Sequence, residues 1–231
     1  MCGRYALSLA GVELADFFEI DEVAGPLPPP SYNIAPTDPV LAVLERNREQ
    51  GPQRLLAEVR WGLVPSWAKD PSGASRLINA RIETAAEKPS FRKAYASRRC
   101  LLPATGYYEW QSEPGPDGKP IKQPYFIRPA DGELLVMAGL YEFWKAPDAS
   151  WLVTATVLTT SATDELGRLH DRMPMAVARE NWTPWLDPAF DGEPRALLDV
   201  PVAAMRYYPV SRLVNQVANN GPELIEPQEA E

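Results

Sequence analysis

Cysteine and histidine are scarce in this sequence, which has two cysteines and one histidine among 231 residues. Two cysteines cannot form a disulfide framework, and with one histidine they cannot complete a four-ligand Cys/His zinc site. No EF-hand loop or phosphate-binding P-loop is present. We therefore expect a protein of the reducing cytoplasm with no cofactor and no bound metal, while carboxylate sites for magnesium or calcium stay open.

Long apolar runs are also missing. No stretch approaches the roughly 18 consecutive apolar residues that a membrane span needs. The N-terminus has neither the basic region nor the apolar run of a signal peptide. We therefore expect neither a membrane partner nor secretion. The rest of the composition, 45% hydrophobic and 23% charged, is typical of a globular protein, and the length favours one domain.

Basic residues are outnumbered, 23 against 31 acidic ones, which gives a net charge of −8. This excess of negative charge argues against non-specific wrapping of nucleic acid. Residues 76–99 are the exception, with seven basic and only two acidic side chains. This basic run is either a solvated helix face or a local phosphate-binding surface. Its bases are Arg76, Arg81, Lys88, Arg92, Lys93, Arg98 and Arg99.

The hydrophobic pattern predicts many strands and a few short helices. Alternating or β-branched runs predict strands at 39–46, 55–65, 99–111, 124–129, 133–144, 151–160 and 175–178. Helical spacing predicts helices at 9–20, with Ser8 as the N-cap, at 80–88 and at 90–97, and a short helix or turn within 163–174.

Strands do not alternate regularly with helices, and no internal repeat is visible. We predict an α+β fold, a single domain over residues 1–218 with a curled, mostly antiparallel, barrel-like sheet and short peripheral helices. The last residues, 219–231, contain four glutamates and no basic residue, which predicts a mobile acidic tail.

Cys2 follows the initiator methionine in the stretch MCGRY. Removal of Met1 would give one residue with both a free α-amine and a thiol. An α-amine has an ordinary pKa of about 7.7–8.0, so a useful fraction is neutral at pH 7. An amine condenses with an aldehyde to an imine, and a neighbouring thiol can then close a thiazolidine ring. A biological aldehyde on a phosphate backbone is the ring-opened abasic site of DNA.

Two side chains are candidates for proton transfer. His170, in LHDRMP, is either a structural hydrogen-bonding group or an acid/base placed on a turn before a strand. Glu109, in GYYEW, shares a strand face with Tyr107 among large aromatic neighbours. Its carboxylate is either held in a salt bridge or acts as a general acid/base with a raised pKa.

Other residues could orient or hold a substrate. Asn79 and Arg81, two apart in LINAR, either cap a loop or point together to position an oxygen and a phosphate. Trp61 and Trp67 bracket WGLVPSW and are either core or a platform on which unpaired bases stack.

Seven motifs together resemble the SRAP family, the SOS response-associated peptidase fold. They are MCGRY, YNIAPT, WGLVPSW, INARIET, GYYEW, LTTSA with LHDRMP, and PVSRLVN, and they span Met1 to about Asn215 in the family's order. The resemblance implies one α+β domain that binds single-stranded DNA in the DNA-damage response. It also implies covalent crosslinking to abasic sites through Cys2 after Met1 is removed, which shields the lesion.

The resemblance implies a catalytic set of Cys2 as the crosslinking residue, Asn79 as the group that positions ring and sugar, Glu109 beside the amine, and His170 acting on the opened sugar. It implies phosphate contacts at Arg81 and Arg172 and base packing at Pro36 and Trp67. The full candidate DNA-binding set adds Gly3, Arg4 as a first phosphate contact, Asn33, Trp61 and Thr159. Ala68 stands where some members have a second aromatic residue, so one stacking contact is missing.

The family name also implies peptidase activity, chiefly self-removal of residues before Cys2, and a possible lyase or crosslink-reversal activity. We expect a monomer in the cytoplasm that joins the nucleoid when it binds DNA. Two other interpretations stay open. One is an N-terminal cysteine peptidase or amidohydrolase, and the other is a single-strand DNA-binding protein that forms no covalent bond.

Overall fold

A computed structural model describes residues 2–49, 51–114, 119–162, 164–199 and 204–228. Within them strands predominate and helices are short. The strands are β1 (Tyr5–Leu7), β2 (Glu22–Ala24), β3 (Ser31–Ile34), β4 (Pro39–Arg48), β5 (Gly51–Trp61), β6 (Asn79–Arg81), β7 (Arg99–Ala104), β8 (Gly106–Pro114), β9 (Pro120–Pro129), β10 (Leu135–Lys145), β11 (Trp151–Ser161), β12 (Arg172–Pro174) and β13 (Met205–Pro209).

The larger sheet closes on itself. Its order is β12-β11-β10-β7-β4-β5-β2, and a further parallel contact joins β5 to β11, which makes a five-stranded barrel of β4, β5, β7, β10 and β11. Within the ring, the pairs other than β5–β11 are antiparallel. Closure pairs two strand edges that would otherwise expose unpaired backbone groups. The short strand β6 pairs in parallel with the far end of β11.

The second sheet has five strands in the order β13-β9-β8-β1-β3, all antiparallel. Its two faces are buried differently, because successive side chains on a strand point to opposite faces. Tyr5, Tyr107 and Ile127 belong to the main core that it shares with the barrel. Tyr108 and Phe126 face a smaller core that is covered by the C-terminal residues.

Helices lie at the periphery and none among the described residues is long and apolar enough to cross a lipid bilayer. The α-helices are α1 (Gly11–Phe17), α2 (Ile82–Ala85), α3 (Arg92–Ser97) and α4 (Trp182–Leu186). Short 3-10 helices cover Pro71–Arg76, Asp164–Arg168, Arg179–Asn181, Pro194–Leu198, Arg212–Asn215 and Pro222–Ile225.

The predicted α+β class and its curled, mostly antiparallel, barrel-like core are confirmed. The prediction of one strand over 99–111 is wrong, because the chain turns at Thr105 and the two halves join different sheets. The backbone N–H of Thr105 bonds to Ala6, and its hydroxyl accepts from the N–H of Ser8 at 2.8 Å. Ser8 is therefore not the N-cap of α1; that place belongs to Ala10, whose N–H is bound by the Glu13 carboxylate at 2.8 Å.

Two further predictions are corrected. Residues 175–178 do not form a strand; Ala176 makes only an isolated bridge to Met137. The acidic tail is packed onto the domain as far as residue 228, because Leu224 is completely buried and Gln228 bonds through its N–H to Pro209. Residues 229–231 of that tail lie outside the described residues.

Candidate active site

Cys2 lies immediately before β1, at the edge of the main core. Its side chain is completely buried, with Sγ 4.0 Å from the carbonyl oxygen of Arg4. Burial raises the pKa of the Cys2 thiol well above its ordinary value, and the negative charge of Glu109 raises it further. The thiol is therefore neutral at physiological pH.

Asn79 reaches Cys2 from β6, 77 residues along the chain. Its Nδ2 donates a hydrogen bond of 2.8 Å to the Cys2 carbonyl oxygen, and no donor among the described residues reaches its buried Oδ1. Ala80 is buried while Arg81 is exposed, so Asn79 and Arg81 share the side of β6 opposite the core, as predicted. Asn79 thus holds the backbone of Cys2 and leaves an amide oxygen for a donor.

Glu109 projects from β8 on the same face as Tyr107 and is only 4% exposed. Burial raises the pKa of its carboxyl group, and the positive charge of protonated His170 acts in the opposite direction. Glu109 therefore interacts electrostatically with both Cys2 and His170, which links the three side chains. A carboxyl group in this position can stay protonated to a higher pH than an exposed glutamate and donate a proton.

His170 stands in the turn before β12 and is held on one side of its ring. Its Nδ1 accepts from the N–H of Arg172 at 3.0 Å and lies 2.8 Å from an exposed Asp171 carboxylate oxygen. In the neutral ring the first contact leaves the proton on Nε2. In the protonated ring Nδ1–H can instead point to Asp171. These two contacts fix the orientation of the His170 ring.

Arg172 is not exposed, contrary to the expectation of a direct phosphate contact. Its guanidinium forms a two-pronged ion pair with Glu83, with N–O distances of 2.7 and 2.9 Å, and also donates to the Thr159 carbonyl oxygen. This pairing lowers the pKa of the Glu83 carboxyl group. Thr159 is itself 1% exposed. In this conformation Arg172 and Thr159 brace the turn that carries His170, and a phosphate would have to displace Glu83 to reach the guanidinium.

Arg4 and Asn33 form a second brace next to Cys2. Arg4 Nη1 donates to Asn33 Oδ1 at 2.7 Å and to the Val214 carbonyl oxygen at 3.0 Å, and its guanidinium lies 5.7 Å from the centre of the Trp110 ring. Asn33 is 3% exposed, and its amide nitrogen donates to backbone carbonyls of the segment 214–219. Both the amide oxygen and the amide nitrogen of Asn33 are thus hydrogen-bonded, which ties the PVSRLVN motif to the N-terminal strand.

The two tryptophans of WGLVPSW have opposite environments. Trp61 is completely buried, packs at 5.1 Å against Tyr5, and donates from Nε1 to the Ile78 carbonyl oxygen. Its ring is out of reach of a base, so Trp61 is a core residue and not a stacking surface. Trp67 is 63% exposed. Between them Gly62 has φ of +119°, and a Cβ there would lie 2.7 Å from a backbone oxygen, so the turn requires glycine.

Pro36 lies on a tight turn fixed by its neighbours. Asp38 accepts a hydrogen bond from the N–H of Ala35 at 2.8 Å, and the N–H of Thr37 donates to the Trp61 carbonyl oxygen at 2.8 Å. Thr37 has a φ of +78°, which is rare for a β-branched residue. The turn leaves Pro36 half-buried at the surface, and Gly3 is likewise half-buried.

The basic run 76–99 is less available than its sequence indicates. Arg98 pairs with Glu142 at 2.8 Å. Arg99 is 1% exposed and donates to backbone carbonyls of Tyr95, Ala96, Trp185 and Asp187, so it is a structural residue. The exposed bases of the run are Arg76, Arg81, Lys88, Arg92 and Lys93.

The structure therefore brings together Cys2, Asn79, Glu109 and His170 from four segments far apart in sequence. Glu83 and Trp110, which support this group, were missed at the sequence level. Trp110 lies within GYYEW and Glu83 within INARIET, so the motifs contained the signal, but nothing in the sequence indicates their partners. No group of carboxylate, cysteine and histidine side chains suited to a metal ion occurs among the described residues.

Comparison with known proteins assigns the chain to a family. The family described as SOS response associated peptidase (SRAP) matches residues 1–217. The chain belongs to the SRAP family. Its relatives include the abasic site processing protein YoqW of Bacillus subtilis, 41% identical over 98% of this chain and 99% of the relative. YedK of Escherichia coli, also named an abasic site processing protein, is 34% identical over 98% of this chain and 100% of its own length.

A more distant relative carries the same name, and solved structures share the fold. The abasic site processing protein HMCES of chicken is 33% identical over 99% of this chain and 78% of its own length. A solved structure from Bacteroides thetaiotaomicron superposes with a TM-score of 0.81 at 23% identity, covering 99% of this chain and 100% of that one. A phage-related protein of Bordetella bronchiseptica gives a TM-score of 0.69 at 29% identity, covering 91% and 95%.

Proposed function

We propose that this protein processes abasic sites in DNA by forming a covalent thiazolidine between Cys2, after removal of Met1, and the aldehyde of the lesion in single-stranded DNA. The names of the relatives support abasic-site processing. The observation that carries the covalent part is the convergence of an acid/base pair, Glu109 and His170, and an amide, Asn79, on a residue that can present both an α-amine and a thiol.

The proposed reaction uses each of these groups once. The Cys2 amine adds to the aldehyde carbon to give a carbinolamine, and protonated Glu109 donates a proton as the hydroxyl leaves as water. The thiol then adds across the resulting C=N bond, so that a C–S bond forms and the nitrogen takes up a proton. Two bonds to the former aldehyde carbon are made and one water is released. His170 protonates the ring oxygen when the closed sugar opens to the aldehyde.

The electrostatics of Cys2 favour this route over a cysteine hydrolase. A hydrolytic cysteine attacks as a thiolate, which needs a positive, partly exposed environment. Cys2 is instead buried, and the nearby Glu109 charge raises the pKa of its thiol further. A neutral thiol that adds to an already formed imine fits this environment, since the amine makes the first attack.

The DNA strand is proposed to lie over the exposed residues near the site. Arg81 is free of the core and suits a phosphate contact, while Trp67 and Pro36 offer surfaces for bases. Gly3 would let the backbone of the strand approach the lesion closely. Arg4 and Asn33 hold this surface in place. Arg172 contacts a phosphate only when that phosphate displaces Glu83.

The peptidase and lyase activities implied by the family name stay predictions. A lyase step would use His170 as well, because strand cleavage begins from the same opened sugar. We expect Met1 removal by a general methionine aminopeptidase to be sufficient for crosslinking.

A denaturing gel tests the proposal. The protein is incubated with single-stranded oligonucleotides that carry an abasic site or an intact base, and a duplex with the same lesion serves as the substrate control. We expect a shifted band with the abasic single strand and none with the intact strand. Cys2→Ala should abolish the band. A band of equal intensity with Cys2→Ala would overturn the assignment, and salt-sensitive binding without any band would favour the non-covalent alternative.

A further inference from the structure

Two arginines face each other across strands β9 and β13. The antiparallel register pairs Arg128 directly with Arg206. Side chains opposite one another in such a pair are close neighbours, and like charges there destabilise the sheet. In a chain whose net charge is −8, two adjacent cations in direct register need an explanation.

Neither charge is neutralised by the described residues. Arg128 donates from Nη2 to the Gly132 carbonyl oxygen at 2.7 Å, and its buried Nε has no partner among those residues. Arg206 is exposed and makes no hydrogen bond to the described part of the chain. Within the same part of the chain, no carboxylate forms an ion pair with either guanidinium.

Both arginines line a cavity of about 450 Å³. Small-molecule pockets have volumes of roughly 300–1,000 Å³, so a phosphate ion or a nucleotide fits this space. Tyr32 and Tyr208 contribute aromatic walls, Ser8 contributes a hydroxyl, and Glu226 is the one carboxylate that the described residues contribute to the lining. Burial raises the pKa of Tyr208, and the positive charges of Arg128 and Arg206 oppose this rise. Both guanidinium groups therefore act on the Tyr208 hydroxyl at one wall of the cavity.

The cavity is distinct from the candidate active site. Side chains of β8 alternate, and Glu109 points with Tyr107 into the main core. Arg128 is level with Gly106 in the register of β8 and β9 and lies on the opposite face, with Tyr108 and Phe126. The body of the sheet therefore separates the two sites.

We propose that Arg128 and Arg206 bind a phosphate group in this cavity, at a second site away from Cys2. A dianionic or monoanionic phosphate between the two guanidinium groups would convert a repulsive pair into two charge-assisted hydrogen-bonded contacts. The phosphate is supplied either by a free phosphate or nucleotide, or by a phosphodiester of a DNA strand that passes over this face.

The test measures binding in a Cys2→Ala background, which removes any covalent capture of DNA. Three probes are compared at constant ionic strength: sodium phosphate, thymidine 5′-monophosphate and an intact 15-residue oligothymidylate. Arg206→Gln is the main variant because the Arg206 side chain is exposed and makes no hydrogen bond to the described residues. Arg46→Gln removes an exposed arginine of the barrel and is the matched control.

We expect at least one probe to bind the parent protein and the Kd to rise tenfold or more in Arg206→Gln, with no change in Arg46→Gln. Loss restricted to the oligonucleotide would assign the site to a strand, whereas loss with phosphate or the mononucleotide would assign it to a free ligand. Arg206→Lys keeps the positive charge but loses the planar guanidinium that can donate two parallel hydrogen bonds, so its affinity should be intermediate.

Thermal melting gives a second readout, because the effect of Arg206→Gln on the melting temperature should reverse when phosphate is added. Without phosphate, Arg206→Gln should melt at or above the parent temperature, because the repulsion with Arg128 is removed. With phosphate, the parent protein should gain stability and the variant should not. Binding of no probe by the parent protein, or equal binding by parent and Arg206→Gln, would overturn the proposal.

Discussion

Glu109→Gln should separate the catalytic role of the carboxyl group from its effect on stability. The substitution keeps the shape of the side chain and removes its ability to exchange a proton. General acid–base groups contribute about 10²–10⁴-fold to rate, and we expect the crosslinking rate to fall within this range. Stability should move the other way, because Glu109 is buried and its carboxyl pKa is raised by that burial.

The sign of the stability effect follows from linkage. A carboxyl group whose folded-state pKa is raised loses its proton more readily in the unfolded chain, so folding becomes less favourable as pH rises from the unfolded to the folded pKa. A tenfold difference in proton affinity between the two states corresponds to about 1.4 kcal/mol. Glu109→Gln lacks this penalty, and we expect its free energy of unfolding at pH 7 to exceed that of the parent.

Two assays decide the point. Single-turnover crosslinking with abasic single-stranded DNA gives the rate, and urea unfolding of the parent and variant at pH 4 and pH 7 gives the stability. The stability difference should be larger at pH 7 than at pH 4. A variant that crosslinks at the parental rate would refute the acid/base role. A variant that is less stable than the parent at pH 7 would refute the argument from burial.

Four other substitutions test the surrounding residues. Trp67→Ala should weaken single-strand binding by about 1–3 kcal/mol in a filter or anisotropy assay and leave stability nearly unchanged. Trp61→Ala should lower the free energy of unfolding by about 3–5 kcal/mol. The reverse pattern would contradict the assignment of Trp67 to the surface and Trp61 to the core. Asn79→Ala removes the hydrogen bond to Cys2, so thermal unfolding should lose about 0.5–1.5 kcal/mol and crosslinking should slow, and an unchanged rate would exclude a positioning role. Glu83→Gln should loosen Arg172 and steepen the salt dependence of DNA binding, because a guanidinium is released for phosphate; an unchanged slope would show that Arg172 stays buried.

Local patterns in the sequence predicted the fold class, most of the strands and the family, but they could not predict contacts between distant segments. The barrel closes through a parallel contact of β5 with β11, which no hairpin or turn pattern in the sequence predicts. The run 99–111 has a continuous apolar pattern, and only the hydrogen bonds of Thr105 to Ala6 and Ser8 reveal that it belongs to two sheets.

The candidate site shows the same limit. Cys2, Asn79, Glu109 and His170 were predicted from residue types and motifs, and the structure brings them together. Their supports were not predictable, because the environment of Arg172 depends on Glu83, which lies 89 residues away. Burial alone distinguishes Trp61 from Trp67, since both have the same residue type in the same motif.

The central claim is that the α-amine and the thiol of Cys2 both bond to the lesion, and the mass of the crosslinked product before and after borohydride treatment tests it most directly, because a thiazolidine keeps its mass whereas an imine gains two hydrogens. Mass spectrometry of the complex with abasic single-stranded DNA should give the protein without Met1 plus the oligonucleotide minus one water, and peptide mapping should place the adduct on Cys2. The product should form without a reducing agent, whereas Cys2→Ser should yield a stable adduct only after borohydride reduction. A crosslink that retains Met1, or one that maps to another residue, would contradict the account.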